Sequence, residues 1–285
     1  MEVAQQKLHD VLQTPSAKYW FGPQRNFVDG EDPYMDPRVK DWPLIQGWIP
    51  FGLTVAYIVG VPLGMLLMKN REPFKIKHFA MLHNLVLFSL SVWMWLETSY
   101  AVWEMHASKG QILCLHVEDP ARDFSPMGQR LATVLYIHYL SKAYEFFDTV
   151  IMILKKNFRQ VTFLHVYHHS LTFYPLWWIT VRYAPGGEAW MVCALNSFIH
   201  VLMYSYYLLA GLGYKPPYKQ LVTRSQMFQF VLVVAQGTYT YATGCARPRF
   251  VSVEMVAHGG ILLLLFANFY VMTYLKRGAK KQKAQ

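Results

Sequence analysis

The sequence predicts an all-α membrane protein with seven transmembrane helices. Three observations predict it. Seven apolar segments approach or reach the roughly 20 residues that a helix needs to cross a bilayer. Cations crowd alternate connections between those segments. Ionisable residues inside the segments recur every three or four positions, the spacing of one helix face. Composition agrees, because 54% of the 285 residues are hydrophobic and only 15% are charged, too few for a soluble chain of this length. The net charge of +10 is explained by basic loops beside membrane helices, so no nucleic-acid partner is expected.

Residues 1–43 read as a polar N-terminal arm, with turn signals at Asp29-Gly30-Glu31-Asp32-Pro33 and Asp36-Pro37. The opening Met1-Glu2-Val3 is followed by polar sequence, so no cleavable signal peptide is expected. Apolar segments follow near 44–68, 79–103, 130–154, 161–180, 188–210, 225–243 and 256–275. The third is interrupted by polar residues but keeps a helical stripe. None alternates strictly, which argues against strands. Residues 276–285 form a basic tail.

Charge sets the expected orientation. Lys69, Arg71, Lys75 and Lys77 follow the first span, and Lys155, Lys156 and Arg159 follow the third. Lys215, Lys219 and Arg224 follow the fifth, and Lys276, Arg277, Lys280, Lys281 and Lys283 follow the seventh. Alternate connections share a side, and the positive-inside rule makes this side cytosolic. The C-terminus is then cytosolic and the N-terminal arm lies on the far side. Lys281 and Lys283 resemble a di-lysine retrieval signal of the endoplasmic reticulum; an ordinary basic juxtamembrane tail is the alternative. Cys114 and Cys245 both fall on the far side, where an oxidising lumen would allow a disulfide between them; two free thiols are the alternative. Cys193, inside the fifth span, reads as a packing residue rather than a nucleophile.

The spans carry the chemistry. His165, His168 and His169 lie in an apolar segment, at spacings that put them on one side of a helix. Ionisable groups at membrane depth are costly, so they face the protein interior and serve a function, here metal binding or acyl transfer. In the third span Lys142, Glu145, Asp148 and Thr149 form a stripe that His138 extends. Their opposite charges lower the cost of burial, so the stripe is read as an ion-pair network or as part of the chemistry. In the fifth span Asn196, His200, Met203, Tyr204 and Tyr207 share a face that can donate hydrogen bonds to a carbonyl or oxyanion. Gln226 and Gln229 in the sixth span either line a cavity or join helices.

Taken together, these motifs resemble the ELO family of fatty acid elongases. The matches are K-x-x-E-x-x-D-T at Lys142–Thr149, H-x-x-H-H at His165–His169, H-x-x-M-Y-x-Y-Y at His200–Tyr207 and T-x-x-Q-x-x-Q at Thr223–Gln229. All four occur in family order, and the resemblance covers residues 44 to 275, read as the transmembrane domain. The contexts Arg159–His165 and Ala184–Ala189 look like the polyunsaturated-acyl branch of fungal, moss and algal members acting on C18 or C20 substrates.

The resemblance implies two inverted three-helix units around the first helix, in the endoplasmic reticulum membrane. It implies condensation of an acyl-CoA with malonyl-CoA to a 3-oxoacyl-CoA two carbons longer, with loss of carbon dioxide and CoA. No cofactor and no metal is implied. A ketoacyl-CoA reductase, a dehydratase and an enoyl-CoA reductase would complete the cycle, and a homo-oligomer is compatible with this reading. An imidazole attacks a thioester in its neutral form, and an apolar bundle disfavours imidazolium. His168, the middle histidine, matches the family's proposed covalent residue; His169 and then His200 are the runners-up. His165 and His169 would orient it or move protons, while His200 and Asn196 would polarise the carbonyl or position the malonyl group. Lys142, Glu145, Asp148, Tyr204, Tyr207, Gln226 and Gln229 are read as lining the substrate path. Lys155, Lys156, Arg159, Lys215, Lys219, Arg224 and Lys276 are the cytosolic-side cations that could meet CoA phosphates, with topology alone as the other reading. Trp177 and Trp178 limit chain length or anchor the fourth span at the interface.

Two other classes fit less well. Membrane di-iron desaturases and hydroxylases share H-x-x-H-H, but they need many more clustered histidines than the one box found among the 11 here. A seven-helix receptor or transporter leaves the histidine and tyrosine stripes unexplained.

Overall fold

The computed structural model describes residues 38–39, 41–107, 124–181, 189–244 and 250–276, and every regular element among them is helical. Helix α1, Trp48–Met68, is apolar throughout and buries Pro50, Thr54, Tyr57, Val61 and Met68. That spacing is a single stripe. Phe51, Val59 and Leu66, on other faces, are exposed. Helix α2, Lys77–Ala107, runs along α6, Trp190–Gly211, and also touches α3, Pro126–Tyr144. Met94 and Val102 of α2, Leu131 and Leu135 of α3 and Cys193 of α6 share one core cluster. The Cys193 thiol lies 3.3 Å from the Thr98 hydroxyl within that core, which fits the packing role expected of it.

The expected third span is two helices. Ser125 caps α3 by accepting the Gly128 N–H at 3.1 Å, with Pro126 at the first turn. The helix stops at Tyr144, and α4 runs from Phe146 to Leu154. Glu145 is the junction. There the Asp148 N–H bonds the Glu145 carbonyl at 3.0 Å, a three-residue step that tightens the turn. Helix α5, Phe163–Leu176, starts where the Thr162 hydroxyl accepts the His165 N–H at 3.2 Å. Pro175 removes a ladder donor near its end, and Trp177–Val181 continues as a π-turn.

Helices α7, Lys219–Thr243, and α8, Phe250–Tyr270, form a close pair. Gly237 makes the approach: a Cβ there would lie 3.0 Å from both the Ser252 carbonyl and the Met255 Cβ. Gly244 ends α7 at φ +68°, a left-handed cap that favours glycine. Residues 38–39 and 41–45, at the edge of the expected arm, are seated on the bundle. Arg38 donates to the Gly128 carbonyl at 3.3 Å. The Tyr136 hydroxyl donates to the Pro43 carbonyl, and Tyr139 and Trp177 donate to those of Leu44 and Ile45. Trp177 is therefore an interior packing residue, and the interfacial-anchor reading does not hold for it.

Among the described residues, four stretches are long and apolar enough to cross a membrane: Trp48–Met68, Lys77–Met105, Trp190–Gly211 and Val251–Leu275. Helices α4 and α5 have only 9 and 14 residues, and α3 and α7 bury His138, Ser141, Lys142, Thr223, Gln229, Gln236 and Thr240, which lowers their apolar content. The basic connections gather at one end of the bundle. Lys156 Nζ donates to the Lys69 carbonyl at 3.0 Å, and the Phe74 N–H donates to the Leu154 carbonyl at 2.9 Å. Gly211, ending α6, lies beside Met81 at the start of α2.

Candidate active site

The polar stripes expected on separate helices meet inside the bundle. Lys142 reaches from the last turn of α3 and donates to Glu145 Oε1 and to Asn196 Oδ1, both at 2.7 Å. His200 Nδ1 lies 3.2 Å from the same Glu145 oxygen. His138 Nε2 lies 3.2 Å from Asn196 Oδ1. All five side chains are buried. Breaking the helix at Glu145 turns its carboxylate towards α6, so one oxygen serves both an ammonium and an imidazole. Buried charges are tolerated when paired in this way.

A second network hangs on Asp148 at the start of α4. Tyr204 donates to its Oδ2 at 2.8 Å, and His83 Nε2 lies 2.9 Å from its Oδ1. A third joins Tyr57, Thr149 and His165: the Thr149 hydroxyl lies 2.8 Å from both Tyr57 Oη and His165 Nε2. Glu145 thus faces α6, Asp148 bridges α6 and α2, and Thr149 bridges α1 and α5.

The three box histidines have different surroundings. His165 is held by Thr149. His169 packs against His165, with ring centroids 4.5 Å apart, and lies beside Tyr57 and Phe146. His168 meets His169 edge-on at 5.3 Å and lines a cavity. The cavity runs between α5, α6, α7 and α8. His138, Asn196 and Gln229 share its wall with His168, and apolar residues such as Phe230, Val233 and Leu262 make up much of the rest. One box imidazole therefore opens onto a mostly apolar space, with an amide and the His138 imidazole on the same wall.

The remaining expected residues are distributed unevenly. Gln229 is buried on the cavity wall, whereas Gln226, one turn earlier, is partly buried and is not among the lining residues. Tyr204 is buried on Asp148, but Tyr207 is 38% exposed and stacks edge-on with Tyr204 and Tyr206. Among the basic-end residues, Lys155 is partly buried and Lys156 caps the Lys69 carbonyl. Arg224 donates to Tyr270 Oη at 2.9 Å and lies over its ring, and Lys276 is exposed. Cys114 and Cys245 lie outside the described residues. No group of three or more His, Cys, Asp or Glu suited to hold a metal ion occurs among the described residues. Sequence reasoning missed His83, Thr172, Glu254 and His258. An ionisable residue at membrane depth was the available signal for His83, Glu254 and His258.

Residues 42–282 match the sequence profile of the ELO: GNS1/SUR4 family. The chain is 39% identical to "Very long chain fatty acid elongase 5" of Mus musculus over 252 residues, covering 87% of this chain and 82% of the relative. It is 33% identical to the protein of the same name from Tachysurus fulvidraco over 287 residues, covering 99% and 90%. It is 34% identical to "Very long chain fatty acid elongase 2" of Mus musculus over 260 residues, covering 90% and 86%.

Proposed function

The chain belongs to the ELO family, and from that premise we propose that it is the condensing enzyme of fatty acid elongation, a very-long-chain 3-oxoacyl-CoA synthase. The observation that carries the mechanism is the placement of His168: of the three box histidines, it alone is among the residues lining the apolar cavity. A nitrogen of its imidazole attacks the acyl-CoA carbonyl, an N–C bond forms, the C–S bond breaks, and CoA leaves as the thiol with the proton that the imidazole gives up; that proton is replaced from solvent when His168 is freed. Malonyl-CoA then loses carbon dioxide, and the carbanion attacks the acyl-imidazole carbonyl. The N–C bond breaks, freeing His168 and giving the 3-oxoacyl-CoA two carbons longer.

Asn196 and His138 stand beside His168 on the wall, suited to polarising the carbonyl or holding the malonyl group. His200 and Lys142 act through Glu145 and Asn196. The acyl chain occupies the apolar cavity. CoA is held at the basic end, where Lys155, Lys156, Arg224 and Lys276 gather. The substrates are polyunsaturated C18 or C20 acyl-CoAs, a reading supported by the sequence contexts at Arg159–His165 and Ala184–Ala189. In this reading the enzyme crosses the endoplasmic reticulum membrane seven times, as two inverted three-helix units around α1, with its C-terminus cytosolic. A reductase, a dehydratase and an enoyl reductase must consume its product.

The test uses purified protein in detergent with a chelator present. Malonyl-CoA is supplied with saturated, monounsaturated and polyunsaturated acyl-CoAs, and products are read by mass spectrometry. A 3-oxoacyl-CoA two carbons longer, absent for His168→Ala, is expected. An intact, folded sample that makes no such product across the panel would sink the reading.

A further inference from the structure

The cavity holds polar groups that the condensation does not use. Thr172 on α5 and Glu254 and His258 on α8 line it together. Thr172 Oγ1 lies 3.4 Å from His258 Nε2, and His258 Nδ1 lies 4.0 Å from Glu254 Oε1. The three side chains make one polar rung between the two helices. Val251, Met255 and Leu262 flank it on the same wall.

Its position is fixed by helix geometry. Thr172 is four residues beyond His168, so it lies about 6 Å further along α5. Glu254 and His258 are also four apart, so the rung covers about one further turn along α8. With C–C bonds of roughly 1.5 Å, an acyl chain bonded to His168 meets the rung about five to ten carbons from its carbonyl.

A polar rung is a poor neighbour for a saturated chain. Methylene groups pressed against Glu254 and His258 displace water from them and return no interaction. A cis double bond behaves differently. Its π face accepts a weak hydrogen bond from an N–H or O–H, and its flanking C–H groups can rest on a carboxylate or hydroxyl oxygen. Of the groups in an unsubstituted acyl chain, the alkene is the one that suits the rung.

We infer that Thr172, Glu254 and His258 are specificity-determining residues that select acyl chains with a cis double bond at this depth over saturated chains of equal length. The inference rests on the acyl-CoA reading above and deepens it by naming the selecting residues.

The test is a competition. Full-length enzyme in detergent receives malonyl-CoA and an equimolar mixture of three acyl-CoAs of one length: saturated, cis-unsaturated within the interval, and hydroxylated within it. The product ratio is read by mass spectrometry. It does not depend on how much of a variant is folded. The wild type is expected to favour the unsaturated chain over both others. His258→Phe and Glu254→Leu should each lower the unsaturated-to-saturated ratio, by about fivefold for the loss of one or two such weak contacts. Where either fails to fold, Glu254→Gln and Thr172→Val carry the test with smaller drops in the same direction. Ratios unchanged in all active variants would overturn the inference, as would wild-type preference for the hydroxylated chain. Absence of condensation with all three would overturn the acyl-CoA reading itself, so the two failures are distinct.

Discussion

Lys142 and Glu145 are 4% and 1% exposed, and their fates are tied. Lys142→Met leaves a buried carboxylate with only His200 as charge partner, and such a loss costs about 3–5 kcal/mol. Thermal melting in detergent should show a large drop. Lys142→Met combined with Glu145→Gln should recover much of the melting temperature, because no unpaired charge stays buried. Condensation should not recover with it, since Asn196 and His200 both lose the groups that orient them. Recovery of activity would show that the pair serves stability alone. At His168, truncation to Ala should abolish product without lowering the melting temperature comparably, because the ring faces a cavity. The acyl-enzyme mass should disappear with it, whereas a persisting adduct would point to His169 or His200. The sequence disclosed much of this cluster, because its members recur at helical spacing within single spans. His83 was hidden. It is one of three histidines in α2, spaced from His78 and His106 so that they share no helix face, and its partner Asp148 lies 65 residues away, so no local pattern announces it. The different surroundings of the three box histidines were hidden too, because spacing alone does not say which ring meets a cavity.

Two glycines distinguish faces that look alike in sequence. At Gly237 an added Cβ meets backbone and side chain of α8 at 3.0 Å, so the two helices must part to accept it. Gly237→Ala should therefore destabilise the α7/α8 pair, by about 1–3 kcal/mol for overpacking. Gly60 on α1 has nothing within 4 Å of such a Cβ. Gly60→Ala should be neutral or raise the melting temperature slightly, through the better helix propensity of alanine. Equal effects at the two sites would mean that α7 and α8 do not approach as described. The positions of the helices were legible, because apolar runs of span length are hard to miss. The break at Glu145 was not. A polar stripe at i, i+3, i+6 and i+7 is compatible with one continuous helix. Only the packing of α6 against it decides that Glu145, Asp148 and Thr149 turn towards different partners.

For the whole molecule, the decisive property is that the basic connections share one end. The Lys156 bond to the Lys69 carbonyl and the contact of Gly211 with Met81 bring together three connections that are far apart in sequence. If that end is cytosolic, as the positive-inside rule requires, the connections that follow α2 and α7 lie in the lumen. The chain has no Asn-x-Ser/Thr site of its own, so the background for a glycosylation map is clean. An acceptor inserted into residues 104–129 should be glycosylated in microsomes. One inserted into 211–218 should not. The reverse pattern would invert the molecule and place the basic end, together with any CoA bound there, in the lumen. That outcome would be hard to reconcile with CoA substrates supplied from the cytosol, so this map tests the proposed chemistry as well as the topology.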